Sequence, residues 1–467
     1  MIIKQIIWPS QQSGELVSPF QQGKGERPLR LTFHCQSFRE LPTLEYEALQ
    51  VLLELSNLPE IFPVETDQGD FSFLEIGQVD PVREYVEIIL HKKGGTVHSG
   101  IHTNQLLHFE GLPISLGSDK TTEHRATEEL LILAAHVQLK QDILITASNI
   151  LIEHNNSYLI ECANVMKPSD AVKLVGLFLR SRGIFTLCFI NNGTFGVDQG
   201  LFYWDLMRGR LPALGTYFSA CVEAENIRHD GIIGLGQSVL ERAKRALQAR
   251  DAIGRQFYIP QNNNVADEIL YHFDYLTLNL TGALDALARI CYRVYQIPRL
   301  NEWNVNFRKS TNNGGRFLTA LQNAGANDLY NLLSENRNSG VIDLLFTLRN
   351  TIHGEGLKTI GYREMMKSER SFAIVPTSDQ QVVMNTIVRW GEEEKWGIKQ
   401  LRELCIEPYS FAVTLVEECF RLINNIAAAT DITRLFPTGY DISRLAYRTP
   451  ENDPFSRIAR ERIEILG

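Results

Sequence analysis

The sequence predicts a mixed α/β N-terminal half, residues 1–235, joined to an all-α helical-bundle C-terminal half, residues 236–430, with a tail at 431–467. Two patterns carry this expectation. Between Thr121 and Ile190 apolar runs alternate between helical spacing and short continuous strands, the order of an α/β domain. From Ser238 onward apolar residues return at three- and four-residue steps over segments too long for strands. At 467 residues the chain is too long for one ordinary core, so two or three domains are expected. Hydrophobic residues make up 44% and charged residues 22%, the composition of a globular chain and not a disordered one. A net charge of -9 excludes a general attraction to phosphate, so any nucleic-acid contact needs a local basic patch. The 7 cysteines are scattered without a CxxC pair, which predicts reduced thiols and a cytoplasmic setting. No run approaches the roughly 18 apolar residues of a membrane helix, so no membrane partner is expected.

In chain order, IIKQIIW and LRLTFHC predict two strands, joined by a loop rich in Gln, Gly and Ser. A helix follows over Leu44 to Leu55, ended near Asn57 and Pro59, then a turn at Asp67 to Asp70 and strands in FSFLEIG and YVEIILHK. Residues 91 to 118 suggest a loop carrying His91, His98, His102 and His108; with no cysteine near and no helix to fix a pair, exposed loop histidines are expected and not a metal site. TTEHRATEELLILAAHVQLK predicts a helix, QDILITASNILIE a buried strand, AVKLVGLFLRSRG a helix ending at Gly183, and IFTLCFI a strand. Residues 123–183 weakly resemble the core of PIN-like nuclease domains, through Asp142-Ile143-Leu144-Ile145-Thr146. The resemblance departs at Ala147, Ser148 and Asn149, which supply no second carboxylate, so Asp142 is expected to be a strand-edge or capping acid.

The turn-forming clusters NNGTFG, MRGR, PALG and DGIIGLG make residues 190 to 235 a predicted connection between the halves. Gly231, Gly234 and Gly236 have the wrong spacing for GxGxxG, and no cofactor is expected. Beyond it, ERAKRALQAR in a helix over Ser238 to Ala252 is the clearest positive face. A long helix over Val265 to Tyr295 carries Ile269, Phe273, Leu276, Leu280, Leu284, Leu287 and Ile290 on a core stripe. Helices at Arg316 to Ala324 and Asp328 to Leu333 precede VIDLLFTLRNTIHG, Val341 to Gly354, where Val341, Leu344, Leu345, Leu348 and Ile352 form an apolar stripe and Gly354 offers a stop. Residues 358–407 look like an insertion with a strand, SFAIVP, before a final helix over Tyr409 to Ala428. The tail beyond Asp431 is expected to have little independent fold.

On the stripe's other face Arg349 and His353 stand four apart, a permanent cation beside a group that exchanges protons near neutral pH, with Asn350 as donor and acceptor. The bland alternative pairs Arg349 with an acid such as Asp343 and leaves His353 to the helix dipole. The helical array and its Leu-Arg-Asn-Thr-Ile-His-Gly ending resemble the HEPN superfamily over about residues 236 to 430. That resemblance implies a metal-independent ribonuclease acting as a homodimer through the helical domain, of the kind found in toxin-antitoxin, CRISPR or antiphage systems, or else a noncatalytic RNA-binding, assembly or sensor module. It assigns Arg349, Asn350 and His353 as the catalytic residues. The family leaves four to six positions between Arg and His; this sequence leaves three, a rotation of about 100° on the helix.

Overall fold

A computed structural model describes residues 8, 18–22, 26–63, 74–80, 85–92, 95–102, 133, 136, 140–153, 164–190, 193–228, 230–354, 356–362 and 370–441. The expected strand at IIKQIIW up to its last residue, the turn at Asp67 to Asp70, nearly all of the helix after Thr121, His108 and the end of the tail lie outside them. The chain divides into two compact units, Gln5–Gly196 with Tyr258–Pro260, and Val197–Phe257 with Gln261–Glu464. The division is mixed α/β on one side and largely helical on the other.

The first unit is built on a parallel sheet of β1 (Leu29–Phe33), β2 (Ile61–Pro63), β6 (Ile143–Ile145) and β7 (Val165–Met166), in the order β2-β1-β6-β7. Leu29, Leu31, Phe33 and all of β6 are fully buried, as a sheet covered on both faces requires. Helix α1 (Thr43–Leu55) connects β1 to β2 and packs against α3 (Pro168–Ser181), the short α2 (Asn149–Glu153) lying before β7. Glu45 of α1 accepts hydrogen bonds from the Ser169 amide at 2.8 Å and its hydroxyl at 2.7 Å, placing an acid on the positive end of α3. Gly183, at φ +77°, closes α3 as its sequence predicts.

Three strands, β3 (Leu74–Asp80), β4 (Tyr85–Lys92) and β5 (Gly95–His102), form an antiparallel meander. The predicted loop after residue 91 is therefore a strand from Gly95 to His102. His98 and His102 fall on this strand, four residues apart. Another difference concerns IFTLCFI: β8 (Thr186–Ile190) pairs antiparallel with β9 (Gly193–Gly196) instead of joining the parallel sheet.

The second unit begins with α4 (Gln199–Arg210) and α5 (Pro212–Arg228), in the stretch whose turn residues predicted a connection. Asp198 caps α4 by accepting the Leu201 amide at 3.0 Å, and Pro212 occupies the first position of α5, so the breakers punctuate helices without replacing them. Gly231, at φ +78°, then turns the chain into α6 (Ile232–Phe257). Gly236 of α6 has a packing reason: a Cβ there would lie 3.0 Å from Phe218 and 3.3 Å from Cys221 of α5. Helix α7 (Asn263–Val294) pairs along α6 and buries every residue of its predicted stripe.

Next come α8 (Asn312–Asn323), α9 (Asn327–Ser334) and α10 (Asn336–Gly354). The predicted insertion is a folded layer of β10 (Lys358–Tyr362), β11 (Arg370–Ile374), α11 (Thr377–Val383), β12 (Ile398–Gln400) and β13 (Leu404–Ile406), an antiparallel sheet in the order β10-β11-β13-β12. The C-terminal half is thus not all-α; single short strands between charged segments show too little alternation to announce a sheet. The final helix α12 (Pro408–Ala429) holds Phe411 against fully buried Trp396 at 5.1 Å. Beyond it Leu435 is buried and the Tyr440 hydroxyl donates to Glu223 at 2.6 Å, so the described tail packs on the helices.

Candidate functional site

Helix α10 is gripped on most of its circumference. Val341, Ile342, Leu344, Leu345, Phe346 and Leu348 are buried, as are Asn338, Thr347 and Thr351, so the burial is wider than one stripe; Ile352 is only half-buried. Thr351 donates to Thr347 O at 3.1 Å and to the Asp379 carboxylate of α11. At the N-terminal end Arg337 forks onto Glu392 at 2.8 and 2.9 Å and reaches Glu418 at 2.6 Å, with its guanidinium 4.2 Å from the Trp390 ring centre. At the other end the Gly356 amide donates to Thr351 O at 2.9 Å with φ +72°, so Gly356, and not Gly354, makes the left-handed stop.

Against this fixed background the predicted site residues stand out. Asn350 and His353 are exposed and Arg349 is half-buried. No hydrogen bond or ion pair holds any of the three side chains among the described residues. The expected alternative partner, Asp343, is taken: it accepts from Arg308 Nε at 3.0 Å and from the Ser310 hydroxyl at 2.6 Å. His353 lies in the last turn of α10.

Arg349 faces Asp285 of α7. Burial holds the Asp285 carboxyl above its ordinary 3.8, opposed by the charges of Arg349, Arg242 and Arg289. Gly282, Asp285 and Arg289 follow at three- and four-residue steps and so share one face of α7. Arg242 of α6 donates from Nε to Ser238 at 3.1 Å and lies across Gly282, where a Cβ would come within 2.5 Å of its Cζ. A side chain at residue 282 would have to displace the Arg242 guanidinium from this position. Arg289 and Arg293 share Glu302, with contacts of 3.3 and 2.9 Å, and Trp303, 76% exposed, stacks on Arg289 at 4.1 Å. Arg242 belongs to the basic stretch that the sequence marks. Asp285, Arg289 and Trp303 were missed; the signal was a charged pair four apart on the polar face of an otherwise apolar helix.

In the other unit Asp142 is fully buried at the start of β6, held by Arg27 at 2.6 and 2.7 Å and by the Arg30 amide at 2.8 Å. It sits at the amino end of its strand, whereas ligands of parallel sheets gather at the carboxyl ends. At those carboxyl ends His34 Nδ1 lies 2.9 Å from Thr146 Oγ1, Thr146 donates to Ser37 Oγ at 3.2 Å, and Ser37 donates to His34 O at 2.7 Å. These groups bond one another. No family model, curated protein or solved structure matches the chain. Function is therefore read from the chemistry of the site.

Proposed function

We propose that the helical unit is a metal-independent endoribonuclease of HEPN type, with Arg349, Asn350 and His353 as its working residues. The observation that carries this reading is the exposure of Asn350 and His353, with Arg349 unpaired beside them, on a helix otherwise locked in place. Side chains four apart stand about 6 Å from each other at Cβ, so the short spacing still sets cation and imidazole over one phosphodiester. In the proposed reaction a base removes the proton of a ribose 2′-hydroxyl, its oxygen bonds to phosphorus, the P–O5′ bond breaks, and an acid protonates the departing O5′. His353 takes one of these proton roles, Arg349 forks onto the phosphate oxygens as charge builds, and Asn350 orients either group. A second copy, joined through the helical domain, supplies the other proton partner. The purified protein is expected to cleave RNA in EDTA, and His353→Ala to abolish cleavage while leaving the fold unchanged, since the side chain is exposed. Equal cleavage by the variant, or none by either protein, sinks the enzyme.

A second reading, a noncatalytic interaction module, is favoured by Tyr271, 65% exposed, and Tyr275, 38% exposed, one turn apart on α7. Light scattering would then give a dimer or partner complex that persists in His353→Ala. A monomer with no copurifying partner counts against it.

A further inference from the structure

The cluster around Asp285 has a charge arrangement that internal pairing does not explain. Arg289 and Arg293 are neutralised largely by Glu302, with Asp230 3.7 Å from Arg293. Arg242 and Arg349 have only Asp285 near them, and neither makes an ion pair to it within 4.0 Å among the described residues. Neither guanidinium has a fully buried N–H left without a partner among the described residues. Two half-buried guanidinium groups thus converge from separate helices on one face of α7 with donors to spare, in a chain whose net charge is -9. An anion fits this excess. The carboxylate in the midst of the cations constrains which anion, because a bare phosphate touching Asp285 is repelled, while a ligand carrying a hydroxyl beside its phosphate meets an acceptor there. A ribonucleotide unit has that geometry, with the 2′-hydroxyl next to the 3′-phosphodiester. Trp303 adds the last element, an exposed indole face whose opposite side is already backed by Arg289.

We propose that Arg242 and Arg349 seat a phosphodiester of single-stranded RNA over the Gly282 to Arg289 face of α7, with Asp285 accepting from the adjoining 2′-hydroxyl and Trp303 stacking a neighbouring base. This deepens the ribonuclease reading, since Arg349 is common to both, but binding does not depend on cleavage. The test is fluorescence anisotropy with a labelled mixed-sequence RNA 12-mer, in the full chain carrying His353→Ala so that no turnover intervenes. Arg242→Gln is expected to weaken binding about tenfold, the loss of one charge-assisted phosphate contact, and to reduce the slope of log K against log salt by about 0.7. Gly282→Ala, which adds a methyl where the Arg242 guanidinium lies, should reproduce much of that loss, and Trp303→Ala should weaken binding at least severalfold. DNA of the same sequence should bind more weakly, and Asp285→Asn should narrow the gap between the two. Unchanged melting temperatures separate these effects from misfolding. Binding that is absent, or indifferent to Arg242, Gly282 and Trp303, overturns the seat; equal affinity for RNA and DNA overturns the ribose assignment. Binding that follows the variants in a protein that cleaves nothing retains the seat and removes only the nuclease.

Discussion

Replacing Arg337 with Met should destabilise the helical unit by about 2–3 kcal/mol. Arg337 makes two contacts to Glu392 at 2.8 and 2.9 Å and two to Glu418 at 2.6 and 3.4 Å, while its side chain remains 30% exposed. Removing one partner of a fully buried pair costs roughly 3–5 kcal/mol, because the other charge is left without compensation. Two features reduce that figure. Glu392 is 27% exposed and recovers water, and Glu418, at 9%, keeps Arg421 at 2.9 Å. Methionine also preserves part of the contact with Trp390. Calorimetry at pH 7 should show the helical-unit transition lowered by about 4–6 °C, at roughly 2 °C per kcal/mol for a unit of this size. The pH dependence supplies an independent sign. Hydrogen bonding to Arg337 holds the Glu392 carboxyl below its ordinary 4.5, and bonds from Arg337 and Arg421 outweigh burial to hold Glu418 below it too. Their stabilisation is complete above about 4.5 and is lost as pH falls through the lower folded values. The gap between parent and variant should therefore close on acidification below 4.5. A loss under about 0.5 kcal/mol at pH 7, or a gap that widens in acid, would refute the reasoning.

Two further outcomes follow from buried polar groups. Tyr203→Phe removes the 2.8 Å hydrogen bond from its hydroxyl to the buried Asp251, to which Arg250 also donates, and should cost about 1–2 kcal/mol in chemical denaturation. His136 is 1% exposed, and burial depresses its pKa from 6.5 to about 3. Folded His136 stays neutral where the unfolded chain takes up a proton, so stability present above 6.5 is lost as pH falls toward 3. His136→Gln should flatten that part of the pH profile, as read from melting temperatures; an unchanged slope would assign it to other groups.

Much of the helical unit was legible because its pattern is local. The stripe from Ile269 to Ile290 is buried as its spacing demands, and α1, α3, α8, α9 and α12 stand where capping residues and periodicity put them. The misses share a cause. Gly209 and Gly215 in α4 and α5 look like turns because glycine's permissive backbone says nothing about the neighbour that makes it useful, and Gly236 shows such a use only when Phe218 and Cys221 close on it. The sheet of the insertion depends on pairing between β11 and β13, some thirty residues apart, which no window of sequence contains.

The Arg349 and His353 pair divides in the same way. Sequence alone determined that the two lie one turn apart on a helix, since 3.6 residues per turn follows from backbone geometry. Only the tertiary structure decided that Asp343 belongs to Arg308, that Asn350 and His353 face outward, and that Arg349 meets Asp285 among guanidinium groups from three helices. Charge interactions follow distance in space, and the distance from residue 242 to 349 is set by how α6, α7 and α10 pack, not by the hundred residues between them.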